Sequence, residues 1–175
     1  MAILKSYQRS WTLARLDQTD REIIWLLNQD ARLSSAEISR KLELPERTIR
    51  NRINRLLKNN IVKPIGVLNP AAFGYHLAVD IFCELEVGAQ RQVIEAVRDL
   101  QEVTYLAYST GDQDLSIQAI FTDSDEMHAF ITNRLHTIPG IRRTRTVLVP
   151  RVVKETYEWR PPVDAFEKGH DTSHG

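Results

Sequence analysis

Residues 44–60, LPERTIRNRINRLLKNN, decide how the rest of the chain is read. Ile49, Ile53, Leu56 and Leu57 recur at i, i+4, i+7 and i+8, which predicts a helix over residues 45–58 with one apolar face. At about 100° per residue, Arg47, Asn51, Asn54, Arg55 and Lys58 project from the opposite side. Thr48 stands beside them, and Arg50 and Arg52 lie on the flanks. No acid follows Glu46 within the helix. Arginine forks onto guanine edges or phosphates, and asparagine pairs bidentately with adenine. Such a face suits a DNA major groove, and Arg47, Thr48, Arg50, Asn51, Asn54, Arg55 and Lys58 are the candidate DNA-binding residues. The same pattern also describes a solvated surface helix, so the preceding segment has to decide between the two.

That segment holds two further helices. The first spans residues 16–30, with Asp17 as N-cap, Asp20 in the first turn, and Ile23, Ile24, Leu26 and Leu27 on its apolar side. Ser34 and Glu37 then form a capping box for a second helix that runs to about Leu42, with Ile38 and Leu42 inward. About three residues later the basic helix begins at Pro45, a residue suited to a helical first turn. Three short helices, the last two joined by a tight turn, make a helix-turn-helix with the basic helix in the recognition position. Residues 16–60 are therefore predicted to be a DNA-binding domain of winged type. Residues 1–15 precede it as a basic extension.

Composition agrees once it is divided. The 175 residues carry no formal net charge, which alone would argue against nucleic acid. Residues 1–69, however, hold 13 Lys+Arg against 7 Asp+Glu, and residues 70–175 hold 10 against 16. A basic front and an acidic back suggest two modules with different partners. The single cysteine, Cys83, allows no intrachain disulfide. No apolar run reaches transmembrane length and no signal peptide is visible, so a soluble cytoplasmic protein with no membrane partner is expected.

Beyond the recognition helix, Asn59 and Asn60 tolerate a left-handed cap. Residues 61–74 read as a linker holding a short edge strand within 61–68. Residues 77–87 alternate strictly, with Leu77, Val79, Ile81, Cys83, Leu85 and Val87 on one face. A helix over 90–100, strands over 103–109 and 115–121 joined by the turn TGDQD, a helix over 123–138 and a strand over 141–153 come next. The order βαββαβ is the split βαβ, ferredoxin-like arrangement, so the fold class is α+β. Its alternation places Phe82 and Leu148, beside Thr144 and Thr146, on a sheet face left outside the helices, which suggests dimerisation. The ferredoxin-like domain is taken as 75–159. Residues 160–175, rich in Pro, charge and His, are expected to be a flexible tail.

The segments LDQTDREIIWLL, RLSSAEIS, RTIRNRINRLLKNNIV, NPAAFGYH, STGDQDL and IPGIRRTRTVLV, in this order and spacing, resemble the Lrp/AsnC family of transcription regulators. The resemblance implies a C-terminal ligand-sensing module (RAM domain), homodimers formed through it that assemble further, often to octamers, and an amino-acid effector bound between dimers near the β2–β3 turn. It places the effector beside Tyr108, Thr110, Gly111, Asp112 and Asp114. The turn's own chemistry is compatible: glycine allows close approach, a carboxylate can take an ammonium group, and backbone N–H groups can take a carboxylate. Gly and Asp are equally ordinary in hairpin turns. Two departures stand out. Glu43 replaces the family's glycine in the helix-turn-helix turn, and Pro45 replaces the serine that caps the recognition helix, removing a cap and a phosphate contact.

The leading expectation is a sequence-specific DNA-binding regulator with double-stranded DNA as partner. The alternative is an enzyme like the sirohaem decarboxylases, which share this two-module architecture. It would need His and basic residues lining one cavity, whereas His76, His128 and His136 are scattered. A module that binds an amino acid without a DNA function is disfavoured by the Arg/Asn helix. No Ser/His/Asp set, metal-ligand spacing or phosphate loop is present, so no catalytic residue, metal or cofactor is expected.

Overall fold

The computed structural model describes residues 16–154, 159, 161–162 and 165–166. The chain divides into two compact units, one comprising Met1–Gly66 with Lys154–Gly175, the other Val67–Val153. The basic extension 1–15 and the histidines of the tail lie outside the described residues.

The first unit holds α1 (Gln18–Gln29), α2 (Ser35–Leu42) and α3 (Glu46–Lys58). Reciprocal capping boxes start the first two helices: Asp17 with Asp20, and Ser34 with Glu37. Glu37 lies below the usual carboxylate range because the Ser34 hydroxyl and amide both donate to it. Pro45 gives α3 no side-chain cap, and its carbonyl instead accepts from the Thr48 and Ile49 amides. Ile23, Ile38, Ile49 and Leu56 are fully buried and form the core. Leu57, expected inward, is 36% exposed. The apolar face of α3 is thus narrower than its pattern, centred on Ile49, Ile53 and Leu56.

The turn between α2 and α3 adopts a left-handed backbone at Glu43, with φ +54°. That conformation favours glycine, so the residue that departs from the family pattern sits where a side chain is strained. The Ser39 hydroxyl, donating to the Leu44 carbonyl at 2.5 Å, and the Leu44 amide, donating to the Ser39 carbonyl, hold the turn. After α3 the left-handed residue is Asn60, with φ +56°, as its side chain allows. The strand expected within residues 61–68 does not form. Ile61 and Val62 instead pack against the helical core, and Pro64, which has no N–H to donate, stands in the middle of the segment.

The second unit is one antiparallel sheet of β1 (Leu77–Leu85), β2 (Val103–Tyr108), β3 (Leu115–Phe121) and β4 (Ile141–Val149), in the order β2-β3-β1-β4. Two helices cover one face, α4 (Gln90–Arg98) and α5 (Ser124–Phe130), the latter continued by a π-helical turn over Ile131–Leu135. Val79, Ile81, Cys83 and Leu85 enter the core with Leu115, Ile117, Ala119 and Phe121. β1 stops at Leu85, and Val87, expected on its inner face, is fully exposed beyond the strand end. Burial pushes the Cys83 thiol up to about 12, which marks it as a small apolar core residue with no nucleophilic role.

One register expectation is reversed. Phe82 does face outward, with the Arg145 guanidinium 4.6 Å from its ring centroid. Thr144, Thr146 and Leu148, however, pair with Cys83, Ile81 and Val79, so they stand on the helix side of the sheet. A bulge between Glu84 and Leu85 sets this register. Leu148 is nevertheless 55% exposed, because β4 is an edge strand and the helices pack chiefly over β2 and β3. Within residues 160–175, Phe166 is 6% exposed.

Gly140, between α5 and β4, has φ +97°, and a Cβ there would meet the Ala89 Cβ at 2.4 Å and Val93 Cγ2 at 3.3 Å. Its carbonyl accepts from the Glu86 amide, tying the two loops together. We expect Gly140→Ala to destabilise this unit by about 2–4 kcal/mol, combining overpacking with left-handed strain. Urea denaturation followed by exposure of the Cys83 thiol measures it; a loss below about 0.5 kcal/mol would contradict the packing at Ala89.

Candidate functional site

Helix α3 presents Arg47, Asn51, Asn54 and Lys58 to solvent, opposite the buried Ile49 and Leu56, with Thr48 and Arg50 exposed on either side. Glu46 accepts from Arg50 and, at 3.1 Å, from the Ser35 hydroxyl, so the only acid of the helix is bound to α2 and to its own neighbour. Both contacts lower its pKa. Arg50 remains exposed, and an ion pair of this kind is weak.

Arg55 departs from expectation. Its phase matches the DNA-facing set, yet its guanidinium turns back onto Asp20 of α1. Arg52 joins it: its Nη1 lies 2.7 Å from both Asp17 oxygens and 2.9 Å from Asp20 Oδ1. Asp20 is the one fully buried charged residue among those described. Its other oxygen also caps the Asp17 amide. Two carboxylates and two guanidiniums thus form a neutral cluster that fixes α3 against α1. The attraction is strengthened because Asp20 is cut off from water, while its partners keep part of their surface in solvent. The sequence carries the signal in Asp17 and Asp20, but helix capping alone accounts for both when only neighbouring residues are considered.

In the second unit the effector candidates cluster at the β2–β3 turn without forming an enclosed site in a single chain. Thr110, Gly111 and Asp112 are exposed, and Gly111 has φ +130° with open space where a side chain would stand. The Tyr108 hydroxyl lies 3.1 Å from Gln90 Nε2 of α4 and accepts from it. Asp114 is engaged internally. Its Oδ2 accepts from the Leu85 amide at 2.7 Å, its own amide donates to the Cys83 carbonyl, and its carbonyl accepts from the Ser109 amide. It bolts the turn to the end of β1, which makes Asp112 the free carboxylate of the turn.

The described histidines are not gathered. His76, His128 and His136 are all exposed, and His136 Nε2 lies 2.8 Å from the Thr144 hydroxyl. Among the described residues no group of His, Cys, Asp and Glu is placed to hold a metal, and no helix is long and apolar enough to cross a membrane.

A helix-turn-helix with an exposed basic recognition helix, followed by a ferredoxin-like module, fits the class of two-module DNA-binding proteins. Residues 16–57 match the AsnC-type helix-turn-helix domain and residues 80–159 the Lrp/AsnC ligand binding domain, so the chain belongs to the Lrp/AsnC family. An uncharacterized HTH-type transcriptional regulator of Pyrococcus abyssi is 38% identical over 82% of this chain and 91% of its own length. HTH-type transcriptional regulator FL11 of Pyrococcus furiosus is 32% identical over 82% of this chain and 95% of its own. A transcriptional regulator of Neisseria meningitidis, solved as a complex with L-Met, superposes with a TM-score of 0.78 at 26% identity, covering 85% of this chain and 97% of that one. The protein is a transcriptional regulator, and these matches favour no sirohaem-decarboxylase reading.

The cluster at Asp17 gives a pH dependence. Burial by itself raises the Asp17 pKa, but the Arg52 hydrogen bond, the Asp20 amide and the charges of Arg52 and Arg55 outweigh it, and the net shift is downward from 3.8. A carboxylate held lower in the folded state contributes stability that is present above its unfolded value and lost as pH falls through the folded one. Asp17→Asn keeps a good N-cap while removing the charge. It should flatten the acid limb of the stability curve below about pH 4. Denaturant midpoints from pH 2 to 7 test this; an unchanged acid limb would show that the charge is not coupled to folding.

Proposed function

We propose that the chain is a sequence-specific regulator that reads operator DNA with α3 and is modulated by an amino acid or related small metabolite at the β2–β3 turn. The observation that carries the first part is the exposed Arg47, Asn51, Asn54 and Lys58 face opposite the buried core of α3. Arg47 and Asn51, on successive turns, are assigned to base edges with Asn54 beside them. Thr48, Arg50 and Lys58 are assigned to the phosphate backbone. A homodimer formed through the sheet module would present two such helices to a palindromic site, with assembly to larger oligomers such as octamers. The outer face of the sheet, with half-buried Phe82 under Arg145 and exposed Tyr105 and Val147, supplies a surface for the pairing.

Arg47→Ala and Asn51→Ala should lose selected duplexes by roughly 1–3 kcal/mol while binding random DNA nearly as before. Lys58→Ala should weaken both duplexes alike and lower the salt slope by about one phosphate's worth. Anisotropy titrations on an operator selected from random DNA separate the two; an Asn51 variant that binds both duplexes as wild type does would mean that α3 is not the reader.

The effector part rests on the open turn and on the L-Met complex of the Neisseria relative. Asp112 is assigned to the ammonium group, since Asp114 already accepts from the Leu85 amide. Turn N–H groups are assigned to the effector carboxylate, with a second dimer closing the site. Asp112→Asn should weaken an amino-acid effector by about 1.5–3 kcal/mol, the scale of a charge-assisted hydrogen bond, and leave effector-free DNA binding intact. Calorimetry against the twenty amino acids, repeated on the variant, decides it; equal affinity in both would place the ammonium site elsewhere.

A further inference from the structure

We infer that Asp20 is a specificity-positioning residue, which holds the Arg55 guanidinium away from the DNA backbone and so withholds a cation from sequence-independent binding. The inference rests on the reading of α3 as the recognition helix. Arg55 follows Asn51 by four residues, which at 100° per residue puts it about 40° away on the same face. Phase alone would send it to a phosphate. The structure sends it to α1, where its Nη2 donates to Asp20 Oδ2.

The buried carboxylate has no competing solvent: Asp20 has 1% side-chain exposure, against 46% for Arg55. Arg52, on the same carboxylate, is held at 26% exposure and lies at a phase closer to the core, so Arg55 is the cation that release would present to DNA. The other titratable group packed on the cluster, Asp17, is itself engaged by Arg52. The chemical consequence is specific. A guanidinium on a phosphate adds affinity for any sequence, because phosphate contacts carry no base information. A guanidinium held on Asp20 adds none. The ratio of operator to random binding therefore rises without any further base contact.

The test is a salt titration of the full chain on a random-sequence duplex and on a duplex selected by the wild type. Arg55→Gln alone is expected to leave the salt slope on random DNA as in the wild type. Asp20→Asn should steepen that slope by about 0.9, one extra phosphate. It should also tighten random DNA several-fold at low salt and lower the operator-to-random ratio correspondingly. Adding Arg55→Gln to Asp20→Asn should return the slope to the wild-type value. A purely structural role for Asp20 would alter stability and leave the slope of the folded variant unmoved, which would overturn the inference. So would an Arg55→Gln slope shallower by about 0.9, since Arg55 would then already lie on a phosphate. If Asp20→Asn does not fold, the Arg55→Gln slope decides alone. A wild type with no preference for any selected duplex would sink the reading of α3 itself, whereas a normal preference with a flattened Arg55→Gln slope would sink only this inference.

Discussion

The carboxylate of Asp20 is buried between α1 and α3, and the DNA-binding unit is arranged around satisfying it. A lone carboxylate without water would be untenable there. Two arginines from α3 and the amide of Asp17 supply its partners, and Asp17 in turn shares Arg52. Among the described residues, four apolar side chains of this unit's helical core are fully buried, with Ile53, Leu42, Leu44 and others packed partly buried against them. Ion pairs have a direction that apolar contacts lack, and this cluster ties α3 to α1 beside that core. Arg47, Asn51, Asn54 and Lys58 share the side opposite the buried Ile49 and Leu56.

The sheet module solves a different problem. β1 lies inside the sheet, pairing with both β3 and β4, and its inner residues fill the core. What has to be fixed is the end of β1, where β4 and the β2–β3 turn meet it. Asp114 does this from the turn side by accepting from the Leu85 amide, and Gly140 does it from the other side through the Glu86 amide. The turn that carries Gly111 and Asp112 is thus anchored at its base and open at its tip. The proposed effector site would use this combination, because a ligand can order an open tip without disturbing the core beneath it.

The charge division comes from the same two designs. The front unit holds Asp17 and Asp20 in the α1–α3 cluster and Glu46 against Arg50 and Ser35, and α3 keeps Arg47 and Lys58 exposed. The sheet unit likewise pairs arginines with carboxylates, Arg142 with Glu84 at 2.5 Å and Arg134 with Glu102, but holds more acids than bases. The overall neutrality of the chain conceals two surfaces of opposite tendency, and only the basic one suits a polyanion.

The three front helices, the order of the sheet unit's strands and helices, the Ser34–Glu37 capping box, the Asp17 cap, the inner face of β1 as far as Leu85 and the family were legible in the residues alone, because caps and periodicities are local and act within a few positions. The phase of the polar residues on α3 was legible for the same reason. The three-dimensional fold settled the remainder. Arg55 finds a carboxylate 35 positions away, and Asp114 finds an amide 29 positions away. Periodicity gives the direction in which a side chain leaves its own helix or strand, but a long or charged side chain ends where a partner lies in space. The faces of β4 escape a sequence reading for a related reason: one bulge opposite Glu84 and Leu85 exchanges the two sides of a strand, and nothing in the strand's own residues marks it.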